Sequence, residues 1–174
     1  MRITVFAGDL TDAPAEALCT STNPRLSLMM GTGGSVRDRG GFEVLRECEA
    51  ILAGKTLAPG SVVTTSAGRL PHKAILHCVA SDARHHSSAD VIRACVANAL
   101  AAADAIGCKS IAMPVFATGH AHFKFKDALT VMRDALAAAA TKVDEVIVVV
   151  RDDDWADDAR TIFAPPSPAR RSRS

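Results

Sequence analysis

Two glycine-bearing segments of this 174-residue chain have the composition of an anion site. The first is Gly31-Thr32-Gly33-Gly34-Ser35, and the second is Ala117-Thr118-Gly119-His120-Ala121-His122-Phe123. Glycine lets backbone amides approach a phosphate and tolerates positive φ. The plain alternative for each segment is an ordinary flexible turn. His120 and His122 fall inside the second segment, where an imidazole can donate to a phosphate, act as acid or base near neutral pH, or bind a metal. A metal centre needs further ligands, and the sequence shows no strong set, so no metal is expected. In Gly8-Asp9-Leu10-Thr11, Asp9 either caps its own turn or offers a carboxylate to a ligand. Asn23 can donate and accept at once, as a vicinal diol requires, or it is simply the turn residue before Pro24. Arg151 has a planar cation that can stack on a base or pair with Asp152, Asp153 and Asp154.

These residues need a frame that brings them together. Strand-like runs cover residues 2–6, 15–20, 61–66, 73–79, 110–114 and 145–150. Helical spacing covers 36–52, with Val36, Phe42, Leu45, Cys48 and Leu52 as the buried stripe, and also 89–106, 126–140 and 155–163. Gly40 and Gly41 weaken the first of these helices, and Gly107 suits the end of the second. Strands alternate with helices, and 145–150 is continuously apolar, as in a sheet covered on both faces. The expected fold is α/β, a three-layer α/β/α sandwich around a mixed central sheet. Ligands of such sheets sit in loops at one end of the strands, which points to residues 7–11, 21–35 and 116–123.

Four blocks, in order, resemble the macro domain family. They are Gly8-Asp9-Leu10-Thr11; Asn23 followed by Gly31-Thr32-Gly33-Gly34; Ser66-Ala67-Gly68-Arg69-Leu70-Pro71 with Ile75-Leu76-His77; and Ser110-Ile111-Ala112-Met113-Pro114 leading to Ala117-Thr118-Gly119 and Phe123. Thr22-Asn23, Gly40-Gly41 and Ser66-Ala67-Gly68 resemble the macro-histone-like branch more than the hydrolase branch. The resemblance implies a ligand, ADP-ribose or a mono-ADP-ribosylated protein, with Asp9 at the adenine and Leu10 among the ligand-binding residues. Residues 31–34 and 117–123 would cradle the diphosphate, with Ser35 also binding the ligand, Asn23 and Phe123 would flank the distal ribose, and Arg151 would stand in for a base-stacking aromatic. It implies hydrolysis of mono-ADP-ribose from modified side chains, acidic-residue esters foremost, with water positioned by the substrate diphosphate. The alternatives are a non-catalytic reader and a scaffold without nucleotide affinity. The hydrolase branch carries an aspartate where this chain has Gly33, so no catalytic residue is fixed, and the candidates are Asn23, Gly33, His120 and His122.

Composition limits the rest. A formal charge of +1 leaves no basic excess, so general nucleic-acid binding is not expected, and an anion must be held locally. The five cysteines are spread apart without a CxxC pair, which reads as reduced, mostly buried thiols of a cytoplasmic protein. No stretch is suited to span a membrane, and residue 2 leads straight into a strand with no secretory signal before it. The expected organisation is one macro domain over 1–163 and a disordered Pro/Arg/Ser tail over 164–174, with no cofactor; nothing fixes the oligomeric state. His77, in an apolar run, reads as a core histidine, and His85-His86 as surface histidines of a polar loop.

Overall fold

Six runs pair into one sheet because their alternate side chains serve two apolar faces. The computed structural model describes residues 1–164, and most of the expected tail, 165–174, lies outside them. The strands are β1 (Arg2–Ala7), β2 (Ala17–Thr22), β3 (Val62–Thr65), β4 (Ala74–Val79), β5 (Ser110–Pro114) and β6 (Glu145–Val150). Their spatial order is β1-β6-β5-β2-β4-β3. All neighbours are parallel except β3 and β4, which makes the sheet mixed. Along β6, Val146, Val148 and Val150 enter one core, and Ile147 and Val149 enter the other. A continuous apolar run is what a strand buried on both faces requires.

Five helices supply the outer layers: α1 (Gly31–Gly40), α2 (Phe42–Leu52), α3 (Ala89–Ala105), α4 (Phe125–Ala138) and α5 (Asp153–Phe163). Ile92 and Val96 of α3, Leu129 and Met132 of α4 and Ala156 of α5 pack on one face. Val36 of α1 with Val44 and Cys48 of α2 packs on the other. Each large apolar side chain fully buried this way stabilises by roughly 1.5–3 kcal/mol. The result is the expected α/β/α sandwich. All five cysteines are buried and free, and no helix among the described residues is long and apolar enough to cross a membrane.

The helix expected over 36–52 is two helices. Gly41 has φ +90°, which α1 cannot continue through. The cause is remote in sequence: Gly68, at φ +58°, presses so close that a Cβ there would stand 2.1 Å from the Gly40 carbonyl oxygen. The Arg69 amide then donates to that same oxygen at 2.9 Å. At its other end α1 starts earlier than its apolar spacing suggests. Gly31-Thr32-Gly33-Gly34 forms its first turn rather than a loop before it. Gly33 allows this because its bare Cα lies against Leu28, whose own Cα would be 3.1 Å from an added Cβ.

His77 is a fully buried core residue, as its apolar setting suggests. Its Nδ1 lies 3.1 Å from Thr20 Oγ1, and its Nε2 lies 2.9 Å from Thr65 Oγ1. Burial pushes its pKa down to about 4, against the opposing pull of Glu47. The unfolded imidazole titrates near 6.5. The neutral folded form is therefore fully supported above pH 6.5, and stability falls as pH drops from 6.5 toward 4, where protons favour the unfolded chain. The expected loss is about 1 kcal/mol at pH 5.5 relative to pH 7.5. Denaturant unfolding of wild type and His77→Gln at both pH values tests this. The same pH loss in both proteins would show that His77 is not its source.

Candidate functional site

The C-terminal ends of the five parallel strands open into one cleft of about 600 Å³. Strand order dictates what lies where along it. Gly8, Asp9 and Leu10 follow β1. Arg151 and Trp155 follow β6, and the segment from Val115 to Ala121 follows β5. Asn23 and the start of α1 follow β2, and Ser81 and His85 follow β4. Four interstrand spacings separate β1 from β4, about 19 Å in all.

At the β1 end Asp9 caps its own turn and still faces the cleft. Its Oδ1 accepts the Thr11 amide at 2.8 Å and the Thr11 hydroxyl. Its Oδ2 accepts the Ser35 hydroxyl at 2.6 Å. Arg39 lies 3.7 Å from Oδ1 and makes its closer ion pair, 2.6 Å, with Asp12. Partial burial pushes the Asp9 pKa up, but the hydrogen bonds of Ser35 and Thr11, with the Arg39 charge, outweigh it and hold the group below the usual carboxylate range. Asp9 is thus an ionised acceptor, and a carboxylate has about four lone-pair sites, so acceptor capacity remains for a ligand donor.

Trp155 closes this end. Asp152 caps α5 by accepting the Trp155 amide at 3.1 Å. The indole packs on Phe125 with ring centroids 4.1 Å apart. Arg151 is exposed beside it and makes no ion pair among the described residues, so the Asp152, Asp153 and Asp154 pairing weighed from sequence is not formed. Trp155 was not singled out by sequence. Its signal was an aromatic one helical turn after a central strand.

The middle of the cleft is built from backbone. The first turn of α1 leaves the amides of Gly31, Thr32 and Gly33 without intrachain partners among the described residues. A helix N-terminus of this kind favours an anion. The facing loop turns sharply: Ala117 has φ +65° and His122 has φ +50°. Ser21 links the two walls. Its Oγ accepts the Ala117 amide at 3.3 Å, and its own amide donates to Thr32 Oγ1 at 3.4 Å. Ser21 was also not singled out, because its role depends on β2 lying between α1 and the loop after β5.

Of the residues expected at the site, Asp9, Leu10, Asn23, Gly31, Thr32 and Ser35 line the cleft, as do Ala117, Thr118, Gly119, His120, Ala121 and Arg151. Gly33 and Gly34 are buried behind this wall, within α1. His122 is exposed outside the cleft lining, and Phe123 packs against the apolar core formed with α3, α4 and α5. Asn23 serves both readings. Its Oδ1 accepts the amides of Arg25 and Ser27 at 3.0 and 3.3 Å, while Nδ2 has no partner among the described residues and is left to donate. Met29 and Met30 stand exposed at the rim. No group of three or more His, Cys, Asp or Glu side chains among the described residues is placed to hold a metal ion.

Comparison with known proteins gives a consistent picture. Residues 19–132 match the family model described as Macro domain. A macro domain-containing protein of Streptomyces coelicolor is 30% identical over 154 residues, covering 86% of this chain and 91% of that protein. An O-acetyl-ADP-ribose deacetylase of Citrobacter rodentium is 36% identical over 121 residues, 68% of each chain. In structure, an Oceanobacillus iheyensis macrodomain solved with ADP superimposes with a TM-score of 0.83 at 21% identity, covering 91% of this chain and 88% of that one. A Trypanosoma brucei macrodomain in complex with ADP-ribose gives 0.81 at 22%, covering 93% and 69%.

Proposed function

The chain belongs to the macro domain family, and from that premise we propose that it binds ADP-ribose and hydrolyses esters of the distal ribose, foremost those joining mono-ADP-ribose to acidic side chains of proteins. The observation that carries the reading is the order of groups along the cleft. An ionised acceptor and an aromatic stand at one end, unpaired backbone amides in the middle, and the Asn23 amide beyond them. That order matches adenine, diphosphate and ribose in turn. Among the described residues Arg151 is the single Lys or Arg in the lining, so backbone dipoles take the place of a cationic cluster, in keeping with a net charge of +1.

Adenine donates its amino group to Asp9 and rests near Trp155 and Arg151. The diphosphate lies between the start of α1 and residues 117–121. Asn23 Nδ2 donates to a distal ribose hydroxyl. Position 33 has no carboxylate, so water is held by the diphosphate and the cleft walls, and catalysis rests on positioning. General-base help of the usual kind is worth about 10²- to 10⁴-fold, so turnover is expected to be slow by that measure. O-acetyl-ADP-ribose is a second ester of the same sugar, and relatives from Citrobacter rodentium and Pantoea vagans carry the name of its deacetylase.

The test is to incubate the protein with a peptide bearing ester-linked mono-ADP-ribose and follow label release, with ADP-ribose titrated alongside. Release and binding together are expected. Binding without release would make the protein a reader, and absence of both would sink the proposal.

A further inference from the structure

The β4 end of the cleft holds two side chains that this placement of ADP-ribose leaves unused, Ser81 and His85, and the His120 ring from the diphosphate loop reaches them. Ser81 is 6% exposed, lines the cleft, and its hydroxyl has no hydrogen-bond partner among the described residues. His85, from the same loop after β4, meets His120 from the loop after β5. Their ring centroids are 5.7 Å apart with planes tilted by 40°, and both line the cleft. His85 is held there at φ +63° by its own loop. Its amide donates to the Asp82 carbonyl at 3.1 Å. Asp82 Oδ1 accepts the amides of Arg84 and His86, both at 2.8 Å. The Asp82 carboxylate is thus committed to the loop and is not among the cleft-lining groups.

We propose that Ser81, His85 and His120 form the subsite for the group attached to the distal ribose, and that they select an acyl group through its carbonyl oxygen. The inference rests on the ADP-ribose placement proposed above. Strand order gives the position: Asn23 follows β2, and β4 is the next strand outward, so whatever is attached to the ribose beyond Asn23 meets this end. Donor chemistry gives the class. A serine hydroxyl and imidazole N–H groups can all donate, and among the described residues no carboxylate lines this end to receive a cationic side chain. An ester carbonyl, as on modified glutamate or aspartate, accepts from these donors, whereas an arginine guanidinium finds only neutral hydroxyl and imidazole acceptors here and no counter-charge for its cation.

Binding can be read apart from turnover with two probes. One is free ADP-ribose; the other is a peptide carrying ADP-ribose on a glutamine amide, a stable isostere of the glutamyl ester. The wild type is expected to bind the conjugate about tenfold more tightly than ADP-ribose, the worth of one or two hydrogen bonds. Ser81→Ala and His85→Ala are each expected to remove most of that preference and leave the ADP-ribose Kd within about twofold. His85→Gln, which keeps an N–H donor, is expected to retain part of it. Binding of ADP-ribose with no preference for the conjugate, or equal losses for both ligands in the variants, overturns the subsite alone. Failure of the wild type to bind either ligand overturns the ADP-ribose placement and the subsite with it. Conjugate binding with no cleavage of the ester peptide leaves the subsite standing and overturns only the hydrolase reading.

Discussion

Replacing Asp9 with alanine is expected to weaken ADP-ribose binding by about 10- to 100-fold, because it removes a hydrogen bond to a charged acceptor worth roughly 1.5–3 kcal/mol. Alanine also removes the cap on Thr11, which costs about 1 kcal/mol of stability, so a second variant is needed to separate the two effects. Asp9→Asn does this. The Thr11 amide can bond only to the asparagine carbonyl, and that fixes the amide orientation. The new NH₂ group then takes the place of Oδ2, toward Ser35 and the adenine amino group. The Ser35 hydroxyl can turn and accept, but the adenine amino group cannot. A folded Asp9→Asn protein should therefore lose ADP-ribose about as severely as Asp9→Ala. It should lose much less for the hypoxanthine analogue, whose oxo group accepts where adenine donates. Calorimetric titration of both ligands against both variants reads this directly. Undiminished ADP-ribose affinity in both would remove adenine from this end of the cleft.

The residues behind that prediction differ in how far the sequence disclosed them. Asp9 was visible because a short polar break after a strand is a local signal, and its neighbour Thr11 sits where a capping aspartate needs it. The strands were visible for a similar reason: a run such as Val146 to Val150 fits a sheet with apolar layers on both sides. The start of α1 was not. Gly31-Thr32-Gly33-Gly34 has poor helix propensity, and what makes it helical is packing of Gly33 on Leu28. The break after Gly40 was half-visible, since two glycines marked weakness there, but its cause is Gly68, 28 residues away in sequence, pressing on the Gly40 carbonyl. The β4 end of the cleft was the least legible part. His85 lies in a polar loop of ordinary composition, and only the sheet order, with β4 beside β2, brings that loop next to residues 117–121. Local capping and strand patterning are written in short windows of sequence. The two sides of a cleft are joined by strand order, which no short window contains.

The same packing bears on whether a catalytic aspartate could be restored at position 33. Gly33→Asp is expected to destabilise the protein by at least about 3 kcal/mol and to give no gain in hydrolysis. An added Cβ points at Leu28, 3.1 Å from its Cα and 3.2 Å from its Cδ2, and Leu28 is 2% exposed. A carboxylate there faces apolar core or forces residues 27–30 outward, which moves the Met29–Met30 rim and the start of α1 with it. Gly33→Ala separates crowding from charge. Alanine improves helix propensity by up to about 1 kcal/mol, which partly offsets its tight contact with Leu28. Denaturant unfolding should therefore rank wild type and Gly33→Ala close together, with Gly33→Asp well below. Should Gly33→Asp keep wild-type stability and release ADP-ribose from an ester-linked peptide faster, position 33 would face the ligand after all. Hydrolysis in this chain would then be limited by a missing base, and the dependence on substrate-held water argued above would be wrong.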